Sequence, residues 1–240
     1  TENVNNAKTA EEKQEIKDRS LDVVTVKSLN LAGVNVNLGN TKYPWSPSNV
    51  KVGYYYTGMD AKTPIIKNEN ETDQKLTLDY GFSLGSKFIR PFSKVGWIKA
   101  KVIKDIHFGL LPNAFSFNTQ LRKYDNVRTY REPKDIDYTF EERRFNWDRS
   151  YNLQWSFTKD LKLNFNATNM AIVDQLQKWG ITDEYRNEKG ILITDRTSNE
   201  YMMESLRKFG RPKSYNHNID LSYNVPLKNI KILSWIDLNA

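Results

Sequence analysis

The sequence contains no cysteine and only two histidines. The absence of cysteine excludes disulfides, thiolate catalysis and cysteine-ligated metal sites together. His107 and His217 are far apart in the sequence, and neither belongs to a recognisable metal-ligand motif. Nucleophile-elbow, zinc-protease, phosphate-loop and dinucleotide-binding motifs do not occur in the sequence. We therefore expect no enzymatic activity, no catalytic or metal-ligating residues and no cofactor.

The sequence also has no run of about 18 apolar residues, the length of a membrane-spanning helix. Residues 1–22 are polar and charged, without the apolar region of a signal peptide. The formal charge of +7 is modest and scattered, so it gives little indication of a partner. Low hydropathy normally indicates a soluble protein, but a membrane barrel is also compatible with it, because only alternate residues of each strand face lipid.

The sequence does contain long stretches in which apolar and polar residues alternate. In residues 151–168, two such runs flank Thr158-Lys159-Asp160, which predicts a β-hairpin. The same period of two predicts strands at 50–57, 75–85, 113–124, 145–157, 161–172 and 215–225, and from about 230 onward. We treat 50–240 as the strand-forming region. Residues 1–49 are expected to be a polar segment, loop-like or poorly ordered, with a weak strand at 26–39 and a short helix near 10–17.

The predicted links between strands alternate between long and short. The long links are 58–74, 125–144 and 173–214, an intermediate one covers 86–112, and the short ones are 158–160 and 226–229. The longest link contains a predicted helix, with Thr197 and Glu200 as a capping box and Gly210 after its end. Long loops on one side and short turns on the other are typical of transmembrane barrels, with the short turns in the periplasm.

The two faces of the predicted strands differ in an informative way. The polar face is almost uncharged, which suits a hydrated interior, and we predict that these residues face a lumen: Asn152, Gln154, Ser156, Lys162, Asn164, Asn166, Asn216, Asn218, Asp220, Ser222 and Asn224. The opposite face is predicted to meet lipid: Tyr151, Leu153, Trp155, Phe157, Leu161, Leu163, Phe165, Ile219, Leu221 and Tyr223. A soluble β-sandwich binding module would show the same alternation, as would a self-contained outer-membrane porin or uptake barrel.

Charged stretches outside these strands have simpler interpretations. Glu141 and Glu142 point to opposite faces of an extended chain, so they are poorly placed as an acid–base pair. We interpret 141–144 as a solvated loop-to-strand junction with surface ion pairs, and Asp148 and Arg149 as a link between neighbouring strands. Basic and aromatic residues mix in 121–132, but acidic residues are interspersed and no nucleic-acid-binding module is present. We expect no nucleic acid partner, and contact with lipopolysaccharide phosphates or cargo instead.

Several blocks resemble a known family. The segments LLPNAFSFNTQLRKY (110–124), FNWDRSYNLQWSFTKDLKLNFNATNMAIVD (145–174) and FGRPKSYNHNIDLSYNVPL (209–227) occur in order and are similar to the SprA/Sov family. YPWSPSNVKVGYYYTG and IRPFSK fit less specifically, so the resemblance covers roughly 42–240. That family comprises the giant outer-membrane translocons of the type IX secretion system of Bacteroidetes, which contribute to gliding motility.

The resemblance implies an all-β fold: antiparallel transmembrane strands forming part of a very large barrel, with long extracellular loops, one of them helical. It implies export of folded cargo proteins across a Gram-negative outer membrane to the cell surface. The partners it implies are the remainder of the same translocon chain, a PorV-like shuttle barrel, a periplasmic plug protein, cargo carrying a C-terminal signal, and outer-membrane lipid with lipopolysaccharide. Since the family's chains are many times longer, we expect this chain to be a fragment, incomplete at its C-terminus.

Overall fold

The computed structural model describes residues 9–37, 43–85, 87–91, 107–131, 138–178, 185–187, 189–193, 197–225 and 238–239. Its main feature is one antiparallel sheet of eight strands, in the order β1 (Val23–Val34), β2 (Val50–Lys62), β3 (Ile66–Ser83), β6 (Ala114–Tyr130), β7 (Tyr138–Ser156), β8 (Leu161–Ile172), β11 (Arg211–Val225) and β12 (Leu238–Asn239). Within the described residues β1 and β12 are the two edges and do not pair, so the sheet is not closed into a barrel. The described part of the chain is therefore mostly antiparallel β, with two α-helices.

The strands of this sheet are long except for β12, and their pairing is regular apart from shifts at Leu31/Val34, Ile66/Asn68 and Pro212/Ser214. Two short pairs lie outside this sheet: β4 (Phe88–Ile89) with β5 (Phe108–Gly109), and β9 (Gln177–Lys178) with β10 (Tyr185–Arg186). The helices are α1 (Ala10–Ser20) and α2 (Ser198–Arg207).

The alternation predicted the positions of the main strands well and their lengths poorly. The hairpin predicted at 151–168 is confirmed. β8 lies at the predicted residues, and β7 pairs with it from Asn146 opposite Ile172 to Ser156 opposite Lys162. However, β3 begins at Ile66 and β7 at Tyr138, in segments that were predicted to be loops. Those segments are rich in Asn, Glu, Lys and Arg, so they carry no apolar period to detect. Ion pairs stabilise them instead, between β3 and β6 and within β7 itself.

The predicted alternation of link lengths is therefore wrong. We call the end of the sheet with residues 63–65 the upper end, and the end with residues 157–160 the lower end. The upper end has a tight turn at 63–65, a link at 131–137 and the long link 173–210. The lower end has links at 35–49 and 84–113 besides the turn 157–160. Both ends mix long and short links, so loop length does not distinguish the two sides of a membrane.

Residues 23–34 belong to the sheet rather than to a separate N-terminal segment. β1 pairs with β2 from Val23–Lys62 to Leu31–Tyr54, with an irregularity before Val34. The segment preceding it forms α1, which begins with a capping box between Thr9 and Glu12. β1 ends at Val34, so the prediction of continued strand is wrong over residues 35–37, while residues 38–39 lie outside the described residues. The predicted turn at 226–229 also lies outside them, as does most of the predicted last strand, of which the structure describes Leu238–Asn239.

The helix in the long link is confirmed. Thr197 accepts from the Glu200 amide while the Glu200 carboxylate accepts from the Thr197 amide, so α2 starts where the capping box predicts. After the helix, Phe209 and Gly210 have φ of 63° and 71°. These two left-handed residues reverse the chain into β11. Phe209 thereby adopts a backbone conformation that non-glycine residues rarely adopt.

Neither face of the sheet is covered by a second layer in the described residues. The few buried apolar side chains sit mainly around the upper ends of β7 and β8: Phe145, Ala167, Ala171, Val173 and Leu176, with Ala61 on β2. Large apolar residues such as Val26, Leu76 and Ile219 stay exposed along the strands. The sheet as described buries apolar surface only locally, so its remaining apolar surface is available to a further layer or to lipid.

The contact between β5 and the lower end of β7 leaves room only for a glycine at residue 109. The Gly109 amide donates to the Phe157 carbonyl at 2.8 Å, and an added Cβ would overlap the Ser156 carbonyl oxygen. We expect Gly109→Ala to destabilise the protein by about 1–3 kcal/mol through overpacking. Gly81→Ala is the matched control, since its Cβ would lie 3.5 Å from the nearest atom, and we expect a change within about 0.5 kcal/mol.

Denaturant midpoints, together with hydrogen exchange of the residue 109 amide, would measure this difference. Equal midpoints and equal exchange for the two variants would show that β5 is not held against β7 in this way.

Candidate functional site

The register places the two predicted sets of residues on opposite faces of β7, β8 and β11. Asn152, Asn166 and Asn218 lie in one row across the three strands, and Leu153, Phe165 and Ile219 lie in the next row. Successive residues of a strand point to opposite faces, so the first row marks what we call the amide face and the second marks the apolar face. Every residue in the predicted lumenal set falls on the amide face and every residue in the predicted lipid-facing set falls on the apolar face or continues it at Phe157. Which solvent each face meets stays a prediction.

The amide face consists mainly of neutral hydrogen-bonding side chains, some of which bond to one another or to the Asp79 carboxylate. Asn152 Nδ2 donates to Asn166 Oδ1 at 2.6 Å, and Asn118 Nδ2 donates to Asp79 Oδ1 at 2.7 Å. A shallow groove of about 490 Å³ crosses this face, and its lining includes Ser116, Ser150 and Asn216. Such a surface offers many weak donors and acceptors and little charge.

The apolar face is exposed where β11 joins the sheet. Ile219 and Leu221 are 57% and 60% exposed, beside Phe165 and Leu163 on β8. Trp155 differs from its predicted neighbours, because its Nε1 donates to the Gly109 carbonyl at 2.9 Å and its ring lies 4.6 Å from that of Phe157. The uncovered apolar surface is thus clearest on β11, while β5 supports the lower end of β7.

Arg149 is a charged residue on the apolar face of β7, below the upper extension of the sheet, and the sequence predicted for it only a link between neighbouring strands. Its Nη2 donates to Asn169 Oδ1 on β8 and to the Phe209 carbonyl, both at 3.0 Å. The guanidinium also lies over the Trp147 ring at 4.7 Å, and Trp147 and Phe209 are stacked at 5.7 Å. The link between strands is therefore confirmed for Arg149. The cluster also attaches the left-handed turn after α2 to the sheet, which only the three-dimensional register could reveal.

Above the row that joins Asn146, Ile172 and Arg211, the strands β3, β6 and β7 continue without β8. We call this extension, residues 66–75, 122–130 and 138–146, the charged zone. It contains most of the charges of these three strands: Lys67, Glu69, Glu71, Asp73, Lys75, Arg122, Lys123, Asp125, Arg128, Glu141, Glu142, Arg143 and Arg144. The same strands below it hold few charges, so the sheet divides into a charged end and a nearly neutral end.

Ion pairs across β3 and β6 organise the charged zone. Arg122 bonds both carboxylate oxygens of Asp73, with its Nε at 3.0 Å and its Nη2 at 2.6 Å. Arg128 Nε donates to Glu69 Oε1 at 2.9 Å, and Asn126 Nδ2 donates to the same oxygen at 3.1 Å. The hydrogen bond from Arg128 lowers the pKa of Glu69 against the opposing effect of burial. The hydrogen bond from Arg122 lowers the pKa of Asp73 in the same way.

Glu141 and Glu142 lie inside β7, so their prediction as a loop-to-strand junction is wrong. Their placement on opposite faces is confirmed, because each pairs with the arginine two residues further along the same strand. Arg143 Nη2 is 3.1 Å from Glu141 Oε2, and Arg144 Nε is 3.0 Å from Glu142 Oε1. Arg144 also lies over the Tyr124 ring at 4.6 Å. These ion pairs, rather than an apolar period, keep the segment extended.

The two histidines belong to different parts of the fold, His107 just before β5 and His217 within β11. His107 accepts a 2.6 Å hydrogen bond from Arg90 Nε beside β4, and His217 packs against Tyr215 at 5.4 Å on the apolar face. The described residues contain no group of three His, Cys, Asp or Glu side chains that could hold a metal ion. Nor do they include a helix both long and apolar enough to cross a membrane.

No protein-family model matches the chain, and no curated protein matches it. The features that bear on function are therefore the two faces of the sheet, the charged zone and the sequence blocks themselves.

The ion pairs of the charged zone should differ in their contribution to stability. The Glu69 side chain is 8% exposed, so Arg128→Met leaves a buried carboxylate without its main partner and should cost about 3 kcal/mol. Arg122→Met is the matched control, because the Arg122 and Asp73 side chains are 53% and 27% exposed. We expect it to cost no more than about 1 kcal/mol. Denaturant unfolding of both variants measures the difference, and equal costs would contradict the burial of Glu69.

The same pairs predict an acid-dependent loss of stability. Because the folded-state pKa values of Glu69 and Asp73 lie below their unfolded values, the stabilisation is complete above the unfolded pKa and is lost as pH falls through the folded pKa. We expect the free energy of unfolding to decrease between about pH 5 and pH 1, and to decrease less in Asp73→Asn. Identical pH profiles for the two proteins would show that Asp73 is not paired in solution.

Proposed function

We propose that the chain is part of the wall of the outer-membrane protein-conducting channel of the type IX secretion system, exporting folded cargo to the cell surface. The observation that carries the proposal is the sheet with an exposed apolar face and an almost neutral amide face. The ordered blocks at 110–124, 145–174 and 209–227 that resemble the SprA/Sov family supply the identity of the channel. The proposed location is a Gram-negative outer membrane.

The apolar face favours lipid over a second protein layer. A soluble β-sandwich buries the apolar faces of two sheets against each other at about 10 Å. The described residues supply one large sheet and, besides it, only two short two-stranded pairs, while Ile219, Leu221 and Leu76 remain exposed. Lipid would cover such a face without any further protein.

The height of the nearly neutral end of the sheet also suits a bilayer. β8, with 12 residues, lies below the charged zone and meets it only at the row of Ile172 and Asn146. A tilted transmembrane strand needs about 9–11 residues. β3, β6 and β7, with 18, 17 and 19 residues, exceed that length, and the excess is the charged zone. We place the charged zone outside the bilayer, where its arginines and lysines would meet lipopolysaccharide phosphates.

The amide face suits the lining of a wide aqueous conduit. Asn152, Asn166 and Asn218 bind water and passing polar groups weakly, whereas a strongly apolar or charged wall would retain cargo. No bond is made or broken in this function. The remainder of the translocon chain would continue the sheet at the β1 edge and beyond β12, and the other partners of the proposal are the PorV-like shuttle barrel, the periplasmic plug and signal-bearing cargo.

Two neighbouring residues of β11 test the proposal. Leu221 is on the apolar face and Ser222 is on the amide face, so Leu221→Arg should cost about 2–4 kcal/mol at lipid depth and reduce insertion into the outer membrane. Ser222→Arg is the matched control and should insert like the unaltered protein. The measurement is the amount of each variant in purified outer membranes, followed by cargo export to the cell surface.

The alternatives give different results. Equal insertion of both variants into membranes would contradict the assignment of the apolar face to lipid, and recovery of the unaltered protein in the aqueous fraction would favour a soluble sandwich. Normal membrane insertion with small-solute permeability and unchanged cargo export on deletion would favour a porin.

A further inference from the structure

Tyr43 and Trp45, which precede β2 at the lower end of the sheet, are an exposed aromatic pair. Trp45 is 77% exposed, and its ring is stacked on that of Tyr43 at 5.1 Å with an interplanar angle of 18°. Tryptophan has a large apolar surface and is rarely left this accessible in a folded protein. The exposure of Trp45 therefore indicates that another molecule covers this ring.

The segment that carries the pair is held firmly. Asn49 Nδ2 donates to the Tyr43 carbonyl at 2.7 Å and to the Pro44 carbonyl at 3.3 Å. The Ser46 amide donates to the Tyr43 carbonyl at 3.0 Å. Ser46 and Asn49 are buried, and Pro44 has a restricted backbone. The aromatic rings are thus presented on a rigid turn.

The turn that carries the pair also adjoins the apolar face. Tyr80 lies on that face, in the row of Phe117, and its hydroxyl donates to the Pro44 carbonyl at 2.6 Å. The Tyr80 ring contacts Phe82 and Phe115 at 6.2 and 6.0 Å, near the lower end of β3. Tyr223, in the last row of β11 with β8, is exposed at the same end. Aromatic rings therefore border the lower end of the apolar face.

We propose that Tyr43 and Trp45 anchor the lower rim of the sheet in the headgroup region of the lipid bilayer, an inference that rests on the proposed membrane location. Tyrosine and tryptophan concentrate at both membrane–water interfaces because each ring joins an apolar body to a polar group. The pair has this chemistry, has a rigid support and adjoins the face that we assign to lipid. A protein partner or a sugar stacked on Trp45 would instead bind the pair in water.

Spin-label depth measurements test the anchor, because the chain has no cysteine of its own. Trp45→Cys and Tyr43→Cys each carry a nitroxide while keeping the other ring of the pair. Leu221→Cys marks lipid depth and Ser222→Cys marks water. The experiment uses the full-length protein in outer-membrane vesicles, with any cysteine outside residues 1–240 replaced by serine. It measures collision of each label with oxygen and with a water-soluble nickel chelate.

We expect labels at residues 43 and 45 to collide with the nickel chelate several-fold less than the label at 222 and several-fold more than the label at 221. If the label at 221 is lipid-exposed but the labels at 43 and 45 collide with the chelate as often as the label at 222, the anchor is wrong and the proposed membrane wall is still supported. If 43 and 45 are shielded from both reagents, protein covers the pair and the anchor is also wrong. If 221 and 222 are equally accessible to the chelate, the proposed wall itself is wrong and the anchor falls with it.

Discussion

The hydrogen-bonded register from β3 through β6, β7 and β8 to β11 is the constraint on which the rest of the structure depends. Because side chains alternate with a period of two, a shift of one residue in any pair would exchange that strand's apolar and polar sets. The observed register keeps Asn152, Asn166 and Asn218 in one row and Leu153, Phe165 and Ile219 in the next. The amide and apolar faces are continuous only because the register places residues of the same kind in the same row on all five strands.

Two different interactions hold the two ends of the sheet. The lower, nearly neutral end relies on alternating apolar side chains, including the Tyr80, Phe82 and Phe115 contacts. The charged zone relies on ion pairs such as Glu69 with Arg128. Hydrophobic surface needs a partner that excludes water, whereas ion pairs remain stable next to water. The charged zone therefore suits contact with water, and the apolar face of the lower end suits a medium that excludes water.

Sequence reasoning succeeded where it could count an apolar period and failed where strand formation has another cause. The period predicted β8 at its observed residues, and the capping box at Thr197 predicted the start of α2. The extension of β3 to Ile66 was missed, because its residues Glu69, Glu71 and Asp73 are acidic and bond to side chains of β6. Those partners are 49 to 59 positions away, and no local pattern indicates them.

By itself, the sequence determined that the chain is antiparallel β, that cysteine chemistry is absent, and which residues share a face of each strand, since parity follows from spacing alone. Only the tertiary structure decided which strands are neighbours, that β1 belongs to the sheet, and that both ends carry long and short links. It also placed Arg149 against Trp147 and the left-handed Phe209 turn. These depend on contacts between segments distant in sequence, and a local period carries no information about such contacts.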